Sequence, residues 1–549
     1  MIAKVASLVA LLATFVISAR AGAQPAAGEH QQAQPAEGSG AQEAPTDAPP
    51  PSEDDLLRAA GLRPISHDRV EALVSAGTHS TRDARVRATE RHGGLGLEVT
   101  GRATESDPRE RRGATARIEH EHGDSHAHAF GSYDRIADGT QRQITAVHTV
   151  RYGGGWQRGR LETRVFGDSQ QLHEERPASP REWTIPTSTQ GATASLRSGR
   201  LVLGGIDQEL VVGADYTRTT GSTAEEPSHD LSPSMSIVVR KRHADHRFFD
   251  AFLKDTLHVI ESLDVSGGFV FEGWKNLGAI ETIRYGTDEA MDLHFPQMQD
   301  MQVSPRVGAL YRVSDELALR AHGYRRMRTP TLLELYQPIQ LGSELTAANA
   351  LLRPESIWGG ELGPDLAAGP IEARAVAFWN EIDSPITSIA GADGGRTRMN
   401  LGHARVTGIE TEASFRPAKP WLATVSYTFA SSTVTDPGTG SADVVGKRLA
   451  QAPRQQAAAM LTYDDPRRIT VTGAVRYIDR QYVDAANTQS LGAYTLVDAI
   501  AARTLTRGLA GFVTVENLLD RRYLGQLGLD TPGAPRTVQL GIRIDSARF

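Results

Sequence analysis

From residue 68 to the end of the chain, apolar and polar residues alternate with a period of two. That period constrains the fold more than any other feature. In Leu317-Ala318-Leu319-Arg320-Ala321-His322-Gly323-Tyr324, one side carries Leu, Leu, Ala and Gly, the other Ala, Arg, His and Tyr. In Ile371–Trp379 the apolar side is Ile371, Ala373, Ala375, Ala377 and Trp379, against Glu372 and Arg374. Near the end, Val538, Leu540, Ile542 and Ile544 share a face against Thr537, Gln539, Arg543 and Asp545. Each segment is a strand with one apolar and one polar side.

A soluble sandwich alternates too, so the connections decide. Short ones at His92-Gly93, Gly123-Asp124, Asp464 to Arg467 and Thr506 to Gly508 alternate with long polar ones at 220–244, 276–301 and 327–354. Short turns at one end and long loops at the other mark an outer-membrane barrel. Strand starts fall near 68, 81, 94, 112, 125, 142, 156, 188, 207, 245, 263, 302, 317, 355, 370, 398, 421, 451, 468, 493, 509 and 536. The expected fold is all-β, a transmembrane antiparallel β-barrel of about 22 strands in the outer membrane of a Gram-negative cell. A sandwich would have to bury many Arg, Glu and Asp residues between its sheets, whereas a wide wet lumen holds them without that cost. Trp379, Trp421, Tyr427, Phe429 and Tyr477 are candidates for interfacial aromatic girdles. An aromatic content of 6% is thin for such belts.

The start of the chain reads as an export signal over residues 1–23. Lys4 precedes an apolar run from Val5 to Ile17, and Ala21-Gly22-Ala23 is a small-x-small cleavage site, placing the cut before Gln24. The run is too short to span a bilayer as a helix, and no later run of 18 apolar residues follows it. Residues 24–52 hold Ala, Pro, Gln, Glu and Gly without a large apolar residue, and read as a disordered periplasmic linker. Residues 53–67 read as a short helix or loop, capped by Ser52 with Asp54 and Asp55 in its first turn and Gly61 as its stop. The barrel takes residues 68–549. With no cysteine, the chain has neither disulfides nor thiolate metal sites. A net charge of -7 over this length gives no reason to expect nucleic acid as a partner.

Several motifs in the second half carry a resemblance. Ser304-Pro305-Arg306-Val307-Gly308 is followed by Arg328-Thr329-Pro330-Thr331-Leu332-Leu333-Glu334-Leu335-Tyr336, then by Leu352-Arg353-Pro354-Glu355 and Glu361-Leu362-Gly363. Asn400-Leu401-Gly402 runs on to Gly408-Ile409-Glu410, and Val515-Glu516-Asn517-Leu518-Leu519-Asp520-Arg521-Arg522-Tyr523 precedes the last strand. In this order and spacing they resemble the barrel motifs of TonB-dependent outer-membrane receptors over residues 245–549. Residues 68–219 resemble that family's first strands in spacing only. The resemblance implies uptake of a scarce, bulky nutrient such as an iron–siderophore or cobalamin, driven by the inner-membrane TonB complex.

The chain also departs from that pattern. The family carries a plug domain and a TonB box ahead of the barrel, yet alternation here begins near Val70, and residues 24–67 show neither. The expectation is the barrel portion of a receptor without its plug, which puts active coupling in doubt. Phe549 ends the chain out of phase with the even-numbered apolar face of the last strand. A lumen of this width must be filled or it leaks. Either a separate plug protein fills it, or the long loops fold inward, or an open barrel remains. The alternative function is a passive pore or a non-transporting, surface-binding barrel. A monomer in outer-membrane lipid with a small-molecule ligand is expected, with no cofactor implied.

Alternation points Arg306, Arg320, His322, Tyr324 and Arg326 into the lumen, with Arg328 at a loop start; together they are candidates to hold an anionic ligand. The bland alternative is that they solvate the wall or pair with Glu361 and Glu372. His120, His122, His126 and His128 form the densest histidine cluster and are candidate Zn, Cu or Ni ligands. A two-residue turn at Gly123-Asp124 sends the two pairs to opposite sides, and a three-residue loop sends all four to one side. No catalytic constellation is visible. Gly440 to Lys447 is one residue too long for a phosphate loop, with Arg448 where Ser or Thr belongs. His173-Glu174 lacks the second His of a zinc protease, and there is no nucleophile elbow.

Overall fold

The computed structural model describes residues 68–546, apart from 79–80, 107–108, 140–143, 176–180, 228–237, 286–288, 342–343, 391–394, 439, 441, 466 and 525–532. The expectations for residues 1–67 and for Phe549 lie outside the described residues.

The chain forms a closed, antiparallel barrel of 22 strands. The first eleven are β1 Arg69–Gly77, β2 Arg82–His92, β3 Leu95–Ser106, β4 Arg109–His122, β5 Ser125–Gly139, β6 Ile144–Arg158, β7 Leu161–Glu175, β8 Arg181–Leu203, β9 Ile206–Pro227, β10 Val238–Ile260 and β11 Leu263–Tyr285. The rest are β12 Met298–Arg312, β13 Leu317–Arg328, β14 Glu355–Ala368, β15 Ile371–Asp383, β16 His403–Phe415, β17 Trp421–Asp436, β18 Gln455–Asp465, β19 Ile469–Ile478, β20 Tyr494–Thr506, β21 Leu509–Glu516 and β22 Thr537–Asp545. Each strand pairs with its sequence neighbours, and β1 closes the ring on β22 from Glu71↔Asp545 to Gly77↔Gln539. Every expected strand start lies within seven residues of the observed one.

Register explains the composition. One continuous face carries Glu71, Arg87, Glu98, Arg117, Asp134, Arg151 and, further round, Asp215, Asp250 and Glu272, linked rung by rung through the ladders. The other face presents Val99, Ile118, Val165, Leu196, Leu362, Val425, Leu540 and Ile542, all exposed. Charged groups cannot face hydrocarbon without a large solvation cost. The charged face therefore lines the lumen and the aliphatic face meets lipid. Trp379, Trp421 and Tyr427 lie exposed on that lipid face, and Arg325 stacks 5.2 Å from the ring centre of Trp358 beside them. The two-residue turns close on glycines with positive φ, such as Gly93 at 59° and Gly123 at 60°, as tight hairpins require.

Two of the expected loops are corrected. Most of 220–244 and 276–301 is strand, because β8 to β11 run for 22 or 23 residues each. At 3.3 Å per residue such strands reach about 75 Å, although 9–11 residues suffice to cross a bilayer. This sector of the barrel therefore stands well clear of the membrane. There both faces meet water, so the apolar period fades while the backbone ladder continues.

The third long connection, between β13 and β14, does not stand out in solvent. It turns inward through a short helix, α1 Leu332–Tyr336, closed by a capping box between Thr331 and Glu334. Leu335, Tyr336 and Leu352 from this connection bury against Ala244 and Trp274 of β10 and β11, on their lumen face. The connections after β15, β17 and β19 add a second cluster, in which Leu401, Val444 and Ala485 pack with Val434 of β17. Inward folding of long loops, one of the three ways expected to fill the lumen, is what these connections do in the upper barrel.

Candidate ligand site in the lumen

The candidate arginines sit on β12 and β13, directly under the inward-folded connection. Arg306 lies opposite Tyr324 across the ladder, and Arg326 is the next inward residue above Tyr324. The Tyr324 hydroxyl donates to Asn380 Oδ1 at 2.8 Å, which fixes the ring against the wall. Arg320 donates to Asp365 at 2.6 Å, and His322 stands opposite Glu361. Asp365, not Glu361 or Glu372, is thus the partner of Arg320. Arg306 and Arg326 form no ion pair among the described residues, and the buried Nε of Arg326 has no hydrogen-bond partner.

Arg328 has a different role. It donates to Glu355 at 2.6 Å and to Glu334 at 3.3 Å, so it clamps α1 to the start of β14. Glu355 in turn accepts the Ile386 backbone N–H at 2.6 Å. Around this clamp, Arg242 donates to Tyr336 O at 2.6 Å and Arg398 to Leu333 O and Gln337 O at 2.8 and 2.9 Å. These charge-assisted bonds satisfy the carbonyls at the end of α1. Asn276 donates to the Tyr336 hydroxyl. Burial pushes the Tyr336 phenol above its usual pKa, and the Asn276 bond works the other way. Asn400 holds Arg353 and Ser384 together through 3.0 and 2.8 Å bonds, joining two connections into one layer. Among the family-like motifs, residues 328–336, 352–355 and 400 therefore build the inner layer of the mouth.

Beside the arginines runs a row of carboxylates. Asp215 stands opposite Asp250, and Asp250 opposite Glu272. Like charges facing each other across a ladder are unfavourable. Glu272 is relieved by Ser304, which is fully buried and hydrogen-bonded to it, and by Gln302 at 3.4 Å. The lumen thus offers cations on β12–β13 and anions on β9–β11.

The four histidines do not make one site. The turn at Gly123-Asp124 is the two-residue form, with His122 opposite Ser125 and Glu121 opposite His126. His120 and His122 face outward and His126 and His128 face the lumen. The neighbouring inward carboxylates are taken: Glu119 pairs with Arg91 and Arg117 at 3.2 and 2.6 Å, and Glu121 with Arg91 at 2.5 Å. Among the described residues, no three His, Asp or Glu side chains converge as a metal site.

One cluster was not foreseen. Arg448 and Arg480 lie 5.6 and 5.7 Å from the ring centre of Tyr482, in the connections after β17 and β19. A hairpin of Gln481–Tyr482 and Ser490–Leu491 carries it, organised by Asp484, which accepts from Gln489 N at 2.7 Å and from Thr488 N and Oγ1 at 3.0 and 2.8 Å. Burial alone would raise the Asp484 carboxyl, but these bonds and the Arg396 charge hold it below the usual range. Nothing in the local pattern announces this group, because its members meet only once two connections fold together.

Comparison with known proteins bears on the whole assembly. The family model described as TonB dependent receptor-like, beta-barrel matches residues 61–518. The probable TonB-dependent siderophore receptor PiuA of Acinetobacter baumannii is 25% identical over 189 residues, 33% of this chain and 25% of that protein. The vitamin B12 transporter BtuB of Photobacterium profundum is 26% identical over 225 residues, 40% of this chain and 34% of that protein. The aligned stretches thus span no more than 34% of these relatives' own length. Among solved structures, the ferric-catecholate import receptor Fiu of Escherichia coli K12 superposes with a TM-score of 0.72 at 15% identity, covering 88% of this chain and 82% of that one. PiuA of Acinetobacter baumannii gives the same score at 14% identity, with 88% and 82% covered.

Proposed function

Since the chain belongs to the TonB-dependent receptor-like β-barrel family, we propose that it is an outer-membrane receptor for a bulky, scarce nutrient such as an iron–siderophore or cobalamin. The lumen arginines of β12 and β13 hold the anionic part of the ligand. One observation carries this reading. Arg306 and Arg326, two cations without ion pairs among the described residues, flank Tyr324 on the inner wall beneath a folded layer of loops. Cations left without a countercharge on a lumen wall raise the local concentration of an anion. Tyr324 and Arg320 act as positioning residues, held by Asn380 and Asp365.

The partners that follow from this reading are the TonB complex and a plug, supplied either by residues of this chain outside 68–546 or by a separate plug protein. The test is titration of the purified barrel with ferric siderophores of both charge signs and with cobalamin, followed by intrinsic fluorescence. An anionic chelate is expected to bind, and Arg306→Ala with Arg326→Ala is expected to weaken it at least tenfold. No saturable binding, together with steady diffusion of small sugars through the barrel, would instead make it a passive pore.

A further inference from the structure

One row of cations faces away from the lumen. Arg218 of β9, Arg247 of β10 and Lys275 of β11 stand directly opposite one another across two ladders. Among the described residues, no other lipid-side row opposes three Lys or Arg side chains. Each lies three positions from an inward carboxylate, Asp215, Asp250 and Glu272 respectively, so parity turns all three to the lipid side. All three are exposed.

The neighbouring strands fix the height of this row. On β11 the outward residues from the short turn upward are Leu263, Val265, Gly267, Phe269, Phe271 and Gly273. Over Met301 to Tyr311 the outward side of β12 is likewise uncharged. Strands need about 9–11 residues to cross the hydrocarbon, which is the stretch Leu263 to Gly273. Lys275 and its opposite residue Gln299 are the next outward positions. The row therefore lies just beyond the hydrocarbon at the long-loop end, level with the headgroups of the outer leaflet, where a cation on the outer face costs little.

The wall answers only part of this charge. Asp245 accepts from Arg218 at 2.7 Å and from Arg247 at 3.5 Å. Lys275 forms no ion pair among the described residues. Three cations against one carboxylate leave two positive charges on a patch about 10 Å wide, two strand spacings. Other outward cations are taken up locally: Arg405 donates to Glu381 at 2.5 Å, and Arg325 lies over Trp358 and donates to Ser356 at 3.0 Å. Directly beneath the row, Phe249, Gly273 and Met301 are opposed to one another, with Phe249 and Met301 exposed. Only the Phe249 carbonyl oxygen comes within 4 Å of where a Cβ on Gly273 would sit. Gly273 thus leaves a notch between the aromatic ring and the thioether, opening downward from Lys275.

We propose that Arg218, Arg247 and Lys275 bind the phosphates of a diphosphorylated glycolipid of the outer leaflet, with one acyl chain in the notch at Gly273. Guanidinium and ammonium groups make charge-assisted bonds to phosphate, and two unanswered charges match two phosphates better than one. The site lies on the opposite side of the wall from the lumen arginines, so it stands apart from the identity of the nutrient.

The test uses the full chain purified in detergent. It is mixed with a hexa-acylated glucosamine disaccharide carrying two phosphates, or with phosphatidylglycerol, and passed through gel filtration. Lipid retained per barrel is then read by mass spectrometry. The diphosphorylated lipid should be retained at least tenfold more than phosphatidylglycerol. Arg218→Gln, Arg247→Gln and Lys275→Gln, combined with Asp245→Asn so that no carboxylate is stranded, should abolish that preference. Arg467→Gln with Arg468→Gln at the opposite end of the barrel removes the same net charge and should preserve it. Lys275→Glu alone breaks no ion pair in the wall and should lower retention at least threefold. A heat-modifiability gel checks that each variant barrel is folded. Equal retention of phosphatidylglycerol, or equal loss in the Arg467 and Arg468 variant, overturns the proposal, as does full retention in Lys275→Glu. Displacement of the lipid by 10 mM inorganic phosphate at fixed ionic strength also overturns it and assigns the row to a small free anion.

Discussion

Truncating Leu335 to Ala tests whether the β13–β14 connection is a packed part of the barrel wall. Leu335 is 1% exposed and sits among Trp274, Tyr336 and Leu352, themselves at most 5% exposed. Replacing a fully buried Leu by Ala removes transfer energy and leaves a cavity, together about 2–5 kcal/mol. The barrel ladders do not depend on this side chain, so the loss falls on docking of the connection. Taking about 3 kcal/mol, opening of the connection becomes roughly 150-fold more frequent. Hydrogen exchange read by mass spectrometry is the assay. The N–H groups of Leu335, Gln337 and Leu352, bonded to Thr331 O, Leu333 O and Asn349 O, should lose protection by about that factor. Strands β10 and β11 should keep theirs. Unchanged protection in the connection would mean it is not packed as described. Equal loss in β10 and β11 would mean that loop and wall unfold as one unit.

Two further outcomes follow from particular residues. A Cβ on Gly363 would collide with the backbone carbonyl of Ala375, whereas a Cβ on Gly473 meets nothing within 4 Å; Gly363→Ala should lower the urea midpoint of purified barrel clearly and Gly473→Ala should leave it within error. Asp484 has a folded pKa below its unfolded value near 3.9. Its contribution to the 481–491 hairpin is therefore complete above about pH 4 and lost as pH falls through the lower folded pKa. Exchange at Thr488 and Gln489, corrected for the intrinsic rate, should show steady protection from pH 5 to 8, and Asp484→Asn should reduce it across that range.

The barrel was legible because its two solvents differ. Where one face met lipid and the other water, parity located the strands and pointed Arg306, Arg320, His322, Tyr324 and Arg326 inward, as the ladders place them. Above the membrane that contrast ends. Val238 to Ala244 alternates Arg240 and Arg242 with Lys241 and His243, so both sides are polar and the start of β10 read as loop. Parity also fixes a face without fixing a partner, which is why Asp365 and not Glu361 or Glu372 takes Arg320. Thr331 and Glu334 carried a visible capping signal, but five residues give a helix no period to detect. The histidine question turned on one residue of turn length, which a Gly-Asp pair leaves open until the register is seen.

The seam between β1 and β22 has a consequence for biogenesis. Arg69 and Asp545 meet at 2.7 Å although 476 positions separate them. Among the described residues each outermost edge has only the other as its partner, so no shorter sheet satisfies both. A partly built sheet exposes two unpaired backbone rims to lipid, where unbonded amides are costly. The cylinder therefore cannot close before the carboxyl-terminal strand is present, and the pairing of these two rims is the step that removes the last unpaired edges.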